Sequence, residues 1–144
     1  MGEHALKSMT TRKTKPNRSL ERNSLYHRRF ALLAAIQAKR VLPLFERERP
    51  KDSRPRQAIA AIQAWAHGKR KLGMAEVRKL ALGSHAAARA AKSEAARFAA
   101  RAAGHAVATW HVPTHAMGVP IYACKAILAS KSTPAKSPGN STVL

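Results

Sequence analysis

Cysteine, aromatic residues and acids are all scarce in this sequence. Cys124 is the only cysteine among 144 residues, which excludes an intrachain disulfide and a cysteine-based zinc site and favours a reducing, cytoplasmic setting. Aromatic residues contribute 5% of the chain, whereas apolar residues contribute 45%, and much of that share is alanine. Because alanine has the highest helix propensity and lets helices approach closely, the composition predicts an all-α protein with few large core side chains.

Motifs typical of enzymes are missing as well. The sequence contains no G-x-S-x-G, no glycine-rich phosphate loop and no paired carboxylates, and Cys124 has no obvious acidic partner. It also lacks a zinc knuckle and the aromatic motif of RNA-recognition domains. We therefore expect neither an enzyme nor a bound cofactor.

A stretch without Lys, Arg, Asp or Glu runs from Ala102 to Cys124. Three histidines and two prolines fall within it, and polar or helix-breaking groups at that density are costly in hydrocarbon. We interpret this stretch as buried helix and expect no membrane partner. Residues 1–29 contain no apolar run of the length that a secretory signal needs, which favours a soluble protein.

Both ends of the chain differ from its middle. Residues 1–18 mix Lys, Arg, Ser and Thr without apolar periodicity, and residues 130–144 are a low-complexity run of Ser, Thr, Pro and Lys. Such segments bury too little apolar surface to offset the entropy of ordering. We predict a disordered basic arm at 1–18, a disordered tail at 130–144 and one domain at 19–129, a compact bundle of four to five helices. A monomer and a dimer are both compatible with this pattern.

The first helix is predicted from its apolar periodicity. It begins between residues 19 and 24, and Pro43 kinks or ends it. Its apolar stripe is expected to consist of Phe30, Leu33, Val41 and Leu44.

The second helix has the clearest ends. Asp52 or Ser53 can cap it, Pro55 falls in its first turn, where a missing amide hydrogen costs nothing, and Gly68 is a natural stop. Its apolar face is expected to consist of Ile59, Ile62 and either Trp65 or Ala66.

Further helices follow the second. A third is predicted over residues 74–91, and Gly83 within it indicates a close helix crossing. Ser93 can cap a fourth helix from residue 94 to about 111, and a fifth follows Pro113, either as a separate helix or as the kinked continuation of the fourth. The third helix should carry Val77, Leu80, Ser84, Ala87, Ala88 and Ala91 on one stripe, and the fifth should carry Met117, Ile121, Ile127 and Leu128.

Positive charge dominates the chain, which has 27 Lys and Arg against 7 Asp and Glu and a formal net charge of +20. This balance favours acidic proteins or nucleic acids as partners, although a solvated basic surface without a dedicated ligand gives the same composition. Two groups could contact a phosphate backbone without sequence preference: the turn of Lys69, Arg70 and Lys71, and the helical stripe of Arg97 and Arg101.

Four of the seven histidines fall within residues 85–115. His111 and His115 have the spacing of the zinc-protease motif H-E-x-x-H, but Val112 stands where the general base should be and Pro113 distorts the turn. A three-histidine metal site remains geometrically possible, and packing histidines are the alternative. The metal candidates are His105, His111 and His115.

Two runs resemble a known family when taken in this order and spacing. One is D-x-R-P-R-x-A-I from Asp52 to Ile59, and the other is G-H-A, H-V and H-A-M-G between Gly104 and Gly118. Together they are similar to the immunity-protein family associated with bacterial polymorphic toxin systems, over about residues 25–129. The resemblance implies a small all-α, non-enzymatic protein that binds and neutralises a toxin. For such a protein, the candidate partner contacts are Asp52, Arg54 and Arg56 at the start of the second helix. The histidines His85, His105, His111 and His115 are expected either to lie at the interface or to orient it.

Overall fold

Five α-helices account for most of residues 24–132, the part of the chain that the computed structural model describes. A short 3₁₀ helix at Pro113–Met117 precedes the last of them, and no strand occurs within the described residues. This confirms the predicted all-α bundle. The helices are α1 (Leu25–Glu46), α2 (Arg54–Ala66), α3 (Met74–Ala90), α4 (Glu94–Ala108) and α5 (Gly118–Ser132).

Local hydrogen bonds explain where the helices begin and end. Ser24 and Ser93 cap α1 and α4, and their hydroxyl oxygens accept from the main-chain N–H groups three residues on, at 3.0 and 3.1 Å. Pro55 lies in the first turn of α2. Gly68 follows the end of α2 with φ +73°, a left-handed conformation that favours glycine, and confirms the predicted stop.

Helix α4 lies at the centre of the bundle and packs against α1, α2, α3 and α5. Its buried residues are alanines, one glycine and Val107, so the neighbouring helices approach it closely. The larger core side chains come from the surrounding helices, among them Leu42 and Phe45 of α1, Ile62 of α2 and Val77 of α3. The core therefore consists of a small-residue helix enclosed by helices that carry the bulky side chains.

The buried face of α1 differs from the predicted stripe. Phe30 and Leu33 are 42% and 56% exposed, although Val41 of the same stripe is buried. The buried face of α1 consists largely of alanines instead, because α1 lies close enough to α4 that only small side chains fit along much of the contact. Pro43 does not end the helix, which continues to Glu46. The buried residues of α1 are His27, Ala31, Ala34, Ala35, Ala38, Val41, Leu42 and Phe45.

The last two helices are separate, and α4 ends at Ala108, earlier than the predicted residue 111. The predicted apolar stripe of α5 is exposed, with Ile121 55% and Leu128 61% accessible, since the helix packs through its small residues. The exposed stripe is Met117, Ile121, Ile127 and Leu128, and the buried face is Val119, Ala123, Ala126 and Ala129.

Helix α5 reaches Ser132, past the predicted start of the tail at residue 130. The predicted arm at residues 1–18 and the rest of the predicted tail, residues 133–144, lie outside the described residues.

The stretch from Ala102 to Cys124 is confirmed as largely helical and spans the end of α4, the 3₁₀ helix and the start of α5. Within residues 24–132, no helix has both the length and the apolar character that a membrane crossing requires.

Candidate functional site

Four histidines from different segments lie side by side and form what we call the histidine chain: His85 of α3, His105 of α4, His115 of the 3₁₀ helix and His111 just before it. The ring centroids are 5.6 Å apart for His85 and His105, 5.4 Å for His105 and His115, and 5.6 Å for His111 and His115. Nδ1 of His105 and Nδ1 of His115 are 3.4 Å apart. The structure thus brings together all four histidines that the sequence singled out.

Two glycines make room for these rings. A Cβ atom on Gly104 would lie 2.7 Å from Cε1 of His85, closer than side chains tolerate, and a Cβ on Gly118 would lie 3.1 Å from Nδ1 of His105. The predicted close crossing at Gly83 is wrong, because a Cβ there would meet only the Arg54 side chain, at 3.7 Å. The close approach is at Gly104, where α4 passes beneath an imidazole of α3.

Burial and neighbouring positive charge lower the pKa values of two members of the histidine chain, His85 and His105. Burial, followed by the charges of Arg101, His105, Arg89 and His115, lowers the pKa of His85 from 6.5 to about 4. Burial also lowers the pKa of His105, with smaller contributions from His115 and Arg101. Nη1 of Arg101 donates a hydrogen bond to Nδ1 of His85 at 3.0 Å, so the neutral His85 ring acts as an acceptor at that nitrogen.

The proximity of the histidine rings does not amount to a metal centre. In the part of the chain that the structure describes, no group of three His, Cys, Asp or Glu side chains is arranged to hold a metal ion. The three-histidine candidate of His105, His111 and His115 therefore gains no support from their proximity.

A groove of about 630 Å³ opens beside the histidine chain, between α3, α4 and α5. Tyr122 forms part of its wall and stacks on His105 with a centroid distance of 4.9 Å and an interplanar angle of 26°. The ring of Phe98 lies 6.3 Å from that of Tyr122, and Nζ of Lys125 lies 5.4 Å from the Tyr122 ring centroid. We call this groove the cationic groove; its lining residues are Ala88, Arg89, Glu94, Arg97, Phe98, Arg101, Tyr122 and Lys125.

Positive charge in the cationic groove is largely uncompensated. Four basic side chains line it against one acid, Glu94. Arg97 donates from Nε to the Ala91 carbonyl oxygen at 2.9 Å, and Arg101 donates to His85. Across residues 24–132, no ion pair involves any of the four basic side chains of the groove. The groove therefore presents donors that remain available to an anionic group from outside.

The other predicted contacts lie at the α1–α2 corner, residues 46–56, and the charges of Asp52, Arg54 and Arg56 are paired there. Arg54 donates to Asp52 from Nε at 2.9 Å, from Nη2 at 2.7 Å and from its main-chain N–H at 3.2 Å. The Arg54 hydrogen bond lowers the pKa of Asp52 to about 2. Arg56 binds the Glu46 carboxylate through two bonds of 2.7 and 2.5 Å. Arg54 and Arg56 are thus already bound to acids of the same chain.

The α1–α2 corner and the histidine chain lie on different sides of α3. The Arg54 side chain faces Gly83, on the α2 side of α3, whereas His85 faces Gly104, on the α4 side. The structure therefore places the two groups of predicted partner contacts at separate helix pairs.

Four of the five predicted nucleic-acid contacts line two separate grooves, and the fifth, Lys69, lines neither. Lys69, Arg70 and Lys71 are all exposed, and Arg70 forms an ion pair with Glu76. Arg70 and Lys71 line a second groove of about 450 Å³, whose other lining residues are Arg28, Trp65, Gly68, Leu72 and Trp110. Arg97 and Arg101, in contrast, line the cationic groove.

Sequence reasoning missed three residues of the cationic groove and one buried histidine. Arg89, Tyr122 and Lys125 reach the groove from α3 and α5, and no local motif connects them with Arg101. His27 is fully buried, and its Nε2–H donates to the Thr109 carbonyl oxygen at 2.5 Å. Its helical spacing to Ala31, Ala34 and Ala38 was the signal that could have placed it on the buried face of α1.

The fold and these surfaces define a small, basic all-α protein whose most distinctive surface is a groove lined by arginines and backed by histidines. The family model described as "Imm-5 like putative immunity protein" matches residues 21–138, and the chain belongs to this family. No curated protein and no solved structure matches the chain significantly. The match confirms the family predicted from the runs at Asp52–Ile59 and Gly104–Gly118.

Proposed function

We propose that this chain is an immunity protein that neutralises a protein toxin by binding it in an equimolar complex, without catalysis and in the cytoplasm. The observation that carries the proposal is the immunity-family match over residues 21–138, most of the chain. Because basic residues strongly outnumber acids in this chain, we expect the toxin surface that it covers to be acidic. Inhibition then depends on occlusion of the toxin, so neither a metal nor a cofactor is required.

The proposed contacts have different roles because their charges are satisfied differently. At the α1–α2 corner, Asp52, Arg54 and Arg56 are already engaged in ion pairs with acids or bases of this chain, so they contribute a fixed shape and further hydrogen bonds. Around the histidine chain, the guanidinium groups of Arg97 and Arg101 form no ion pair within the described residues and can still donate to a partner. The histidines proposed to contact or orient the toxin are His85, His105, His111 and His115.

Co-expression tests this function directly. Each toxin-like protein encoded beside the gene for this chain is induced in a bacterial host with and without the chain, and growth and co-purification are measured. Restored growth together with an equimolar complex supports neutralisation by binding. Restored growth with a degraded or chemically altered toxin contradicts the non-catalytic proposal, and failure to protect against any of these toxins contradicts toxin neutralisation.

A second candidate function is sequence-independent nucleic-acid binding. The exposed turn of Lys69, Arg70 and Lys71, together with Arg97 and Arg101, favours it, because such groups can neutralise phosphates. Binding of tag-free protein to duplex DNA and to RNA is measured across a salt series. Affinity that persists at physiological salt, with a steep salt slope, supports this alternative, and loss of binding at that salt leaves the protein partner.

A further inference from the structure

We infer that the cationic groove is the docking site for an acidic segment of the toxin partner, with Arg101 as the anchor for a carboxylate. The proposed function supplies the kind of partner, a protein, and the groove supplies where and how that partner is held. The segment it fits carries Asp or Glu beside an apolar side chain.

Arg101 is held in place before any partner arrives. Its Nη1 donates to Nδ1 of the neutral His85 ring at 3.0 Å, and the side chain is half-buried. The remaining guanidinium donors are not committed to a carboxylate of the described residues. A guanidinium that is already oriented loses less conformational entropy when it binds a carboxylate, and its planar fork favours two parallel hydrogen bonds.

The histidine chain supports the groove from behind. His85 rests against the open space left by Gly104 and packs edge-on to His105, at 5.6 Å and 81°. His105 in turn stacks on Tyr122, whose ring lines the groove. These imidazoles therefore position Arg101 and Tyr122, and His85 and His105 act in the groove as positioning residues.

The shape of the groove favours a protein segment over a nucleic-acid backbone. Its volume of about 630 Å³ matches a concave pocket for a few side chains, whereas a phosphate backbone is followed by an extended stripe of positive charge. Phe98 and Tyr122 supply apolar surface for an aliphatic or aromatic neighbour of the carboxylate. Glu94 at the same groove would repel a continuous polyanion more than a single acidic side chain.

Fluorescence anisotropy with two labelled probes tests the groove at physiological salt. One probe is a short peptide of alternating glutamate and leucine, and the other is single-stranded DNA of equal charge. The variant Arg97→Gln/Lys125→Gln changes two exposed groove residues and leaves Arg101 and its partner His85 in place. The matched control Arg29→Gln/Arg78→Gln removes the same charge from exposed positions of α1 and α3 that do not line the groove.

We expect the groove variant to weaken peptide binding about tenfold and the control to change it less than about twofold. Equal weakening by both variants would overturn the inference, because it would show attraction by net charge alone. Tighter binding of the DNA than of the peptide, lost in the groove variant, would assign the groove to nucleic acid and also overturn it. The absence of peptide binding by the unmodified protein would also overturn the inference.

The role of Arg101 as the anchor is tested separately by changing His85, the residue that positions it. His85→Leu removes the acceptor that holds Arg101, and His85→Gln keeps a polar acceptor at that position. Weaker peptide binding in His85→Leu that is restored in His85→Gln, with unchanged circular dichroism, supports the anchor. Equal peptide affinity in both variants contradicts it.

Co-expression with the toxin separates failure of the groove from failure of the function. If the unmodified chain and Arg97→Gln/Lys125→Gln protect equally well, the groove inference is wrong and toxin neutralisation stands. If the unmodified chain does not protect, the proposed function fails whatever the peptide result.

Discussion

The α1–α2 corner holds three acids that accept hydrogen bonds from nearby donors, whereas the cationic groove holds four basic side chains and one acid. At the corner, Glu46 and Asp52 bind Arg56 and Arg54, and Glu48 accepts from the N–H groups of Lys92 and Ser93 at 2.8 and 2.7 Å. In the groove, Arg101 donates to a neutral imidazole instead. Because acids are scarce, their location separates the arginines that stabilise the fold from those that remain available to a partner.

The largest expected effect lies at the corner. Asp52→Asn should lower the free energy of unfolding by about 2 kcal/mol, because the Asp52 carboxylate is only 10% exposed and accepts three hydrogen bonds from Arg54. Urea unfolding measures the loss. Glu76→Gln is the control, since it breaks the exposed pair with Arg70 and should change stability by about 0.5 kcal/mol or less. Equal losses in the two variants would remove the distinction between the corner and an ordinary surface pair.

The next largest expected effects on stability come from substitutions at two glycines, Gly104 and Gly83. Gly104→Ala should destabilise the protein by about 1 kcal/mol, because the overlap with the His85 ring outweighs the gain in helix propensity. Gly83→Ala should stabilise it by about 0.5 kcal/mol, since its new methyl group makes only ordinary contact with Arg54. Thermal unfolding of both variants checks the signs. A stabilising Gly104→Ala would show that the ring of His85 moves aside easily.

Much of the fold follows from the sequence, because caps and stops are local. Ser24, Ser93 and Gly68 act within one helical turn, and all three lie at the helix ends that the sequence predicts. The buried faces of α1 and α5 could not be predicted in the same way. Leu33 and Ile121 look like core residues by hydrophobicity, but the close contacts in this bundle select alanine, and which alanines face a neighbour depends on the packing of distant helices.

The site was predictable only in part, for the same reason. The clustering of His105, His111 and His115 along the chain made a shared site geometrically possible, and the structure places the three together with His85 beside them. The separation of those histidines from Arg54 could not be read from spacing, since it depends on which side of α3 each residue faces. Lys125 lines the same groove as Arg101 only because α5 packs on α4, which no local pattern shows.

The last predicted effect concerns pH. The pKa of His85 is lowered from 6.5 to about 4, so between these values the unfolded chain binds a proton that the folded chain does not. Stability should therefore fall as the pH decreases from about 6.5 to about 4. His85 is still partly exposed, and solvent screening reduces its share to about 1 kcal/mol.

His85→Gln tests that share, because glutamine does not titrate and keeps an acceptor near Arg101. Urea unfolding at pH 7 and near pH 4.5 should show a smaller stability difference in the variant than in the unmodified protein. Asp52 is the internal comparison, since its lowered pKa places its own loss of stability below about pH 4. An unchanged slope in His85→Gln would contradict a neutral His85 in the folded protein.

Because the core residues of α4 are small, substitutions that add volume should be more harmful there than substitutions that remove it. In most cores, the harmful change is loss of volume, which leaves a cavity. Along α4, the contacts with four neighbouring helices are made largely by methyl groups, so a change to glycine removes little, whereas valine or leucine would wedge two helices apart. Natural variation at positions such as Ala99, Ala103 and Ala106 should therefore be limited by the size of the side chain and much less by its hydrophobicity.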